Sequence, residues 1–186
     1  MAHSVEFLLD DVSDQRIRRQ WADLADAGLP NQASIRSSTN RPHITAIAAG
    51  HIASGIDPAL STVAMRLPFP VSLGGIVVFG DGHRRVIARL VVPTTELLSA
   101  HSAIVRLGAE YATSDGHESA LFEHCRPGRW TPHVTLARRV EVDAVPEVLR
   151  VLGAAAAPPD APATITALRR WDPDTVSEHI VGGRAC

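Results

Sequence analysis

Two short stretches decide the fold of this chain: RPHITA at residues 41–46 and TPHVTL at residues 131–136. Both contain Pro-His-[Ile/Val]-Thr, and their histidines, His43 and His133, lie about half the chain length apart. In a chain with nine histidines, two such hits, each preceded by proline, arise by chance in roughly one sequence per thousand or fewer. The repeat therefore indicates two related halves.

Each motif is typical of a β-strand that presents chemistry on one face. Residues i and i+2 of a strand project from the same side, about 6.6 Å apart. His43 with Thr45, and His133 with Thr135, are therefore expected to line one surface, while the residue between them points into the core. Two such strands side by side provide a base, an acid and hydroxyl donors, which is the set that phosphodiester cleavage requires. Histidine is suitable because its unperturbed pKa of about 6.5 allows one copy to be neutral and the other protonated.

The remaining patterns predict an α+β protein whose antiparallel sheets are covered by helices. Apolar runs between turn signals predict strands at residues 5–9, 42–48, 70–79, 84–92, 131–139, 163–170 and 175–181. Helical spacing predicts helices at residues 14–27, 58–67, 94–111 and 143–157. Residues 112–129 lack periodicity and predict a long loop, of a kind that often carries function. Nothing resembling a linker divides the sequence, so one two-lobed domain over residues 1–186 is expected.

Composition excludes several functions. All 18 basic residues are Arg, so no lysine is present to form a Schiff base, a P-loop contact or the adenylate of an ATP-dependent ligase. A net charge of −2 without an evident basic stripe disfavours long duplex RNA as a partner. Acidic residues interrupt the first apolar run, no stretch reaches the roughly 20 apolar residues of a membrane span, and two cysteines make no disulfide framework. A cytoplasmic monomer with no membrane partner is expected.

The two motifs resemble those of the two-histidine phosphoesterases, a superfamily that includes the bacterial RNA 2′,3′-cyclic phosphodiesterases historically called 2′-5′ RNA ligases. The resemblance covers nearly the whole chain in length, two-lobe order and motif separation. It implies two pseudo-symmetric lobes of antiparallel sheet, with helices on the outer faces and a central cleft. It also implies that His43 donates a proton, that His133 accepts one, and that Thr45 and Thr135 hold the phosphate, with no metal and no cofactor.

The implied substrate is a nucleotide or an RNA end that carries a cyclic phosphate, hydrolysed to a 2′-phosphate. Two alternatives stay open: reversible 2′-5′ RNA ligation, and a nonenzymatic nucleotide- or RNA-binding module on the same fold. A metal-dependent hydrolase built from scattered His and Asp is not supported by the spacing. The family's substrates range over tRNA halves, cyclic nucleotides and ADP-ribose cyclic phosphate, and the modest charge favours a small ligand or a short RNA end.

A phosphate-binding arginine follows the second motif. The chain continues as Leu136-Ala137-Arg138, which matches the family's Leu-Ala-Arg and favours Arg138. Strict strand alternation instead places Arg139 on the face of His133. Both arginines therefore stay candidates.

Aromatic residues flank the motifs. Trp130 lies three residues before His133, where a nucleobase could stack on it, and the alternative is a rim tryptophan that covers the core. Phe79, at a strand end before the Gly80-Asp81-Gly82 turn, resembles an aromatic position of the family but is better explained by core packing.

The other histidines and acidic residues have ordinary explanations. His117, His124 and Cys125 in the long loop do not have zinc-finger spacing, so no metal site is predicted there. His101 lies beside apolar residues on a helix and is expected to be packed or at the surface. The Asp10-Asp11 pair is expected to be a solvated strand end.

Overall fold

The computed structural model of the protein describes residues 2–113, 121–154 and 160–183. These residues form strands and helices in the predicted order, with two additional two-residue strands. The strands are β1 (His3–Leu9), β2 (His43–Ala49), β3 (His51–Ile52), β4 (Phe69–Phe79), β5 (Arg84–Val91), β6 (Ala112–Thr113), β7 (His133–Glu141), β8 (Ala161–Asp172) and β9 (Ser177–Gly183). The helices are α1 (Asp11–Asp26), α2 (Ile56–Ala64), α3 (Thr95–Gly108) and α4 (Val145–Ala154).

The prediction of an α+β fold with antiparallel sheets is confirmed. The main sheet has the strand order β1-β2-β7-β5-β4-β8-β9, and β8 pairs with β1 as well, so six strands form a closed circuit. All of these pairings are antiparallel. The short strands β3 and β6 form a separate pair. Among the described residues, no helix is both long and apolar enough to span a bilayer.

The two motif strands are neighbours in this sheet. β2 and β7 pair through Ile44 and Val134, which face each other and are both buried. Because the strands are antiparallel, this register places His43 across from Thr135 and Thr45 across from His133. Directly opposed residues have Cβ atoms about 4.5–5.5 Å apart. The sheet therefore brings both motifs to one place, as the repeat predicted.

Each motif strand is supported by a helix from the other half of the chain. Helix α1 contacts both α4 and β7, and helix α3 contacts both α2 and β2. The helices bury aliphatic side chains toward the sheet: Ile17 and Leu24 from α1, and Leu97 and Ile104 from α3. A helix of each half thus packs against the motif strand of the other half.

The start of α1 corrects one expectation. Asp10 is not a solvated strand end, because its carboxylate caps the helix. It accepts hydrogen bonds from the N–H and hydroxyl of Ser13, both 2.9 Å, and from the N–H of Thr164, 2.6 Å. Asp10 therefore joins the first turn of α1 to β8.

The segment predicted as a long loop has some regular structure where it is described. Ala112–Thr113 forms β6, Leu121 bridges to Ala49, and Glu123–Cys125 makes one 3₁₀ turn. Residues 114–120, with His117 among them, lie outside the described residues.

A bulge in β7 changes the alternation after the second motif. Ala88 of β5 faces Thr135, but its neighbour Ile87 faces Ala137, so β7 carries one extra residue there. Arg139 has a φ of 58°, in the left-handed region that non-glycine residues rarely adopt. The extra residue puts Arg138 on the face of His133, and a second extra residue between Ala137 and Val140 leaves Arg139 exposed as well.

Candidate active site

The two histidines are held in the same way. Nδ1 of His43 lies 2.7 Å from the carbonyl oxygen of Arg41, and Nδ1 of His133 lies 2.7 Å from that of Thr131. A carbonyl oxygen only accepts hydrogen bonds, so Nδ1 carries the hydrogen in both rings. Nε2 is thus the reactive nitrogen of each imidazole, an acceptor when the ring is neutral and a donor when it is protonated.

Two tryptophans hold the backbone of the two threonines. Nε1 of Trp21 donates to the carbonyl of Thr135 at 3.0 Å, and Nε1 of Trp130 donates to the carbonyl of Thr45 at 2.8 Å. Within the described part of the chain, neither threonine hydroxyl has an intramolecular hydrogen-bond partner. Both hydroxyls are therefore available to a ligand, on strands whose positions are fixed by indole N–H groups.

A buried carboxylate distinguishes His43 from His133. Oε1 of Glu6, on β1, lies 3.5 Å from Nε2 of His43, and the Glu6 side chain is only 4% exposed. Burial by itself would raise the pKa of Glu6, but His43, Arg169 and the hydroxyl of Ser4 hold it below its ordinary value. Glu6 is therefore ionised at neutral pH, and it places a negative charge beside Nε2 of His43.

Glu6 belongs to a network of charged groups. Nε of Arg169, a fully buried side chain on β8, donates to Glu6 at 2.7 Å. The same guanidinium contacts the carbonyl of Thr39 and the carboxylate of Glu178, and Glu178 also accepts from Arg41 at 2.8 Å. These bonds satisfy buried charges that would otherwise be costly. They also tie the loop before His43 to β8 and β9.

His133 has different surroundings. Burial lowers the pKa of His133, and the positive charges of Arg138, His43 and His124 lower it further, against the carbonyl of Thr131, which raises it. The ring of Phe79 lies 4.6 Å from the imidazole, centroid to centroid. His133 is therefore mostly neutral at physiological pH, as a general base must be. The expectation that Phe79 packs in the core is corrected, since Phe79 contacts a motif histidine.

A small pocket lies beside His43. It is lined by Trp21, Gln32, Asn40, His43, Thr135 and Arg138. The pocket joins a histidine from the first motif, a threonine from the second and the arginine that the family pattern favours. Because of the bulge in β7, Arg138 and not Arg139 takes this position. The pocket combines a positive charge, amides and a hydroxyl, which suits a phosphate ester.

Trp130 and His101 form a stacked pair. Their rings are 3.8 Å apart and almost parallel, at 3°. His101 is buried, and its Nε2 lies 2.8 Å from the carbonyl of Cys125. His101 is thus the packed histidine of the two alternatives. The indole face toward His101 is closed to a nucleobase, so stacking of a base on Trp130 stays a prediction for the opposite face.

Cys125 is poorly suited to bind a metal with His124. Its side chain is buried, and burial raises the pKa of the thiol to about 11, against a hydrogen bond from Ala48 that lowers it. A thiol that keeps its proton at neutral pH is a poor ligand.

Glu6, Trp21 and Arg169 were not anticipated as parts of the site. Glu6 had a visible signal, because charged residues are almost never fully buried unless they are paired, and Glu6 interrupts the apolar run VEFLL. Trp21 fitted the apolar face of a predicted helix, and its bond to Thr135 depends on how α1 packs. Arg169 has no sequence signal, since its partners come from distant segments.

Comparisons with known proteins agree with this geometry. The family profile described as the 2′-5′ RNA ligase superfamily matches residues 13–176. Among curated proteins, none matches the sequence. In fold the chain is similar to E. coli LigT complexed with 3′-AMP, at a TM-score of 0.53 and 18% identity over 97% of this chain and 94% of LigT. It is also similar to a phosphoesterase, at 0.54 and 16% over 99% and 95% of the two chains.

A third similar structure is Kluyveromyces marxianus Usb1 with uridine monophosphate, at a TM-score of 0.51 and 10% identity over 97% of both chains. These likenesses concern the fold. The profile match spans most of the sequence, and the chain belongs to the 2′-5′ RNA ligase superfamily of two-histidine phosphoesterases. Members of this superfamily are enzymes, either phosphoesterases or ligases.

Proposed function

We propose that this protein hydrolyses a 2′,3′-cyclic phosphate, on a nucleotide or a short RNA end, to a 2′-phosphate. The observation that carries the proposal is the pair of imidazoles on adjacent strands, each with Nδ1 bound to a carbonyl and Nε2 left for chemistry. An in-line displacement at phosphorus needs a base on one side and an acid on the other. Two pseudo-symmetric histidines supply both.

The electrostatic surroundings of His43 and His133 support different roles for the two residues. His133, whose pKa is lowered by burial, is the base: its Nε2 takes a proton from water as the water oxygen bonds to phosphorus. His43, beside the carboxylate of Glu6, is the acid: its Nε2 gives a proton to the 3′ oxygen as the bond from that oxygen to phosphorus breaks. Exchange with solvent then resets both rings. The choice of the 3′ oxygen as leaving group follows from the family resemblance.

The phosphate oxygens that do not react also need partners. The hydroxyls of Thr45 and Thr135 and the guanidinium of Arg138 are placed to donate to them, and donors aimed at developing charge are among the largest contributions to catalysis. The structures of LigT with 3′-AMP and of Usb1 with uridine monophosphate show nucleotides bound by those proteins. They support a nucleotide as the substrate class.

The test is hydrolysis of adenosine 2′,3′-cyclic phosphate, with the product identified by phosphorus NMR. We expect a 2′-phosphate, and a loss of at least ~10²-fold in turnover for His43→Ala and for His133→Ala, the usual scale for a lost acid or base. Thr45→Ala and Thr135→Ala should lower turnover by less, because water can partly replace a hydroxyl. His83→Ala is the matched control, since His83 is exposed in the turn between β4 and β5.

Each contrary outcome has a distinct meaning. A 3′-phosphate product reverses the assigned orientation. Full turnover in both histidine variants removes the mechanism, and nucleotide binding without turnover in the unmodified protein favours the nonenzymatic alternative.

Ligation is the second candidate, favoured by the family to which the chain belongs. It uses the same residues, with the 5′-hydroxyl of a second RNA in place of water. Incubating an RNA that ends in a 2′,3′-cyclic phosphate with a 5′-hydroxyl oligonucleotide tests it. A joined product with a 2′-5′ linkage supports ligation, and hydrolysis alone excludes it under those conditions.

A further inference from the structure

Three possible metal ligands meet at the end of the sheet opposite to the proposed active site. Nε2 of His3, on β1, lies 3.1 Å from Oδ2 of Asp174, in the turn between β8 and β9. Nδ1 of His51, on β3, lies 3.3 Å from the same nitrogen of His3. The three ligand atoms all lie within 4.8 Å of one another. Three segments far apart in the sequence therefore bring two imidazole nitrogens and one carboxylate oxygen close together.

Two of the three separations between these atoms are close to those of a tetrahedral zinc site. Zinc binds imidazole nitrogen at about 2.0–2.1 Å, so the ligand atoms of a tetrahedron are about 3.3 Å apart. The two separations that involve His3 are 3.3 and 3.1 Å, and the third, between His51 and Asp174, is within 4.8 Å. The imidazoles of His3 and His51 meet at 70°, which lets both nitrogens point at a shared ion without stacking.

A buried nitrogen of His3 lies near a second carboxylate. The side chain is 2% exposed, and within the described residues its Nδ1 has no hydrogen-bond partner. Oδ1 of Asp172 lies 3.9 Å from this nitrogen, which is longer than a hydrogen bond. Metal-bound histidines almost always donate their other N–H to an outer carboxylate. With an ion on Nε2, Asp172 is the carboxylate within reach of that N–H.

We propose that His3, His51 and Asp174 bind one zinc ion, with Asp172 as the outer partner of His3. The fourth position is open to water, because His51 and Asp174 are exposed. The site is separate from the catalytic histidines: His3 pairs with Ala49, whereas His43 pairs with Leu8, five residues or roughly 17 Å further along β1. Its effect is structural, since the ion would join β1, β3 and the turn after β8.

The experiment is calorimetric titration of zinc into the full chain after treatment with EDTA. The His43→Ala, His133→Ala double variant serves as the background, because it removes the imidazoles of the proposed active site as competing ligands. We expect one zinc per chain, and binding at least ~10-fold weaker when His51→Ala or Asp174→Asn is added. Both residues are exposed, so these substitutions leave the fold intact, which circular dichroism verifies.

A second readout is the melting temperature. An ion that binds only the folded chain stabilises it by mass action, so the melting temperature should rise with zinc concentration. The rise should be absent in His51→Ala and retained in the control His83→Ala, which removes an exposed histidine elsewhere. Zinc binding that is undiminished in His51→Ala and Asp174→Asn, or no binding at micromolar zinc, overturns the proposal. Neither result depends on whether the protein hydrolyses a cyclic phosphate.

Discussion

At the scale of single residues, the two motifs are alike in sequence and different in charge. His43 and His133 share the same Nδ1–carbonyl anchor. One has the carboxylate of Glu6 beside Nε2, and the other is partly buried near the guanidinium of Arg138. An acid and a base need opposite protonation states at one pH. The proposed roles of the two histidines therefore rest on their surroundings, since the motifs themselves are alike.

Glu6→Gln tests this interpretation. Removing the carboxylate beside Nε2 of His43 should move the alkaline limb of the pH profile of kcat/KM to lower pH, because a nearby negative charge favours the protonated form of an imidazole. The acid limb, which reports His133, should stay in place. The measurement is the initial rate of cyclic nucleotide hydrolysis over a range of pH.

Glu178→Gln is the matched control. Glu178 is a carboxylate in the same network and contacts Arg169 and Arg41, but among its described contacts none is with His43. Its loss should leave both limbs unchanged even if it lowers stability. An equal shift in both variants would show that general loosening of the network, and not the charge of Glu6, is responsible.

At the scale of secondary structure, helix α1 connects the two halves of the chain through its contacts. Its first turn is capped by Asp10 and bound to β8 through Thr164. Its middle carries Trp21, which donates to the carbonyl of Thr135 on β7. The geometry of the second motif therefore depends on a helix from the first half, in addition to the strands β2 and β5 that pair with β7.

Asp10→Ala should lower the free energy of unfolding by about 1–2 kcal/mol at pH 7, the usual cost of losing an N-cap. Burial would raise the pKa of Asp10, but hydrogen bonds from Ser13 and Thr164 hold it below its ordinary value of 3.8. A carboxyl whose pKa is lowered in the folded state stabilises the fold above its unfolded pKa, and this contribution is lost as the pH falls through the folded value. The free energies of unfolding of the unmodified protein and of Asp10→Ala should therefore differ less below pH 3.8. Urea unfolding at several pH values measures it.

Asp10→Asn is the control for the cap, because an amide oxygen still accepts from the N–H of Ser13. At pH 7 this substitution should lower the free energy of unfolding by less than Asp10→Ala does. If the two variants lose the same stability, the charge and not the hydrogen bond stabilises the start of α1.

At the scale of the whole molecule, the closed circuit of six strands makes one site from two halves. Since the two imidazoles influence each other, the apparent pKa values of the reaction belong to the pair. The net charge of −2 gives no long-range attraction to nucleic acid. Recognition must then come from contacts in the pocket, which suits a small ligand or an RNA end.

We expect turnover to survive EDTA and to follow a bell-shaped pH profile with both limbs near neutrality. One histidine must be protonated and the other neutral, so activity falls on either side. EDTA should lower the melting temperature of zinc-loaded protein through the His3 site while leaving the rate unchanged. Loss of turnover in EDTA that zinc restores, or a plateau without an acid limb, contradicts the proposed chemistry.

The helices, the strands and the four motif side chains could be predicted from the sequence alone. Strand alternation placed each histidine with its threonine, and helical spacing and turn signals located the helices and the β4–β5 hairpin. These are local properties, governed by backbone geometry over a few residues. The charge of Glu6 within VEFLL is visible in the sequence, but it reveals no partner, and Glu6 was not predicted as part of the site.

Tertiary structure alone decided which groups act on those side chains. The choice of Arg138 over Arg139 depends on a bulge set by the pairing of β7 with β5. The contacts of Glu6 with Arg169, and of Trp21 with Thr135, join residues more than a hundred positions apart. Such contacts arise from the packing of separate elements, and no periodicity in one segment encodes a partner in another. The motifs are therefore visible in the local sequence, while the charges that surround each histidine are a property of the fold.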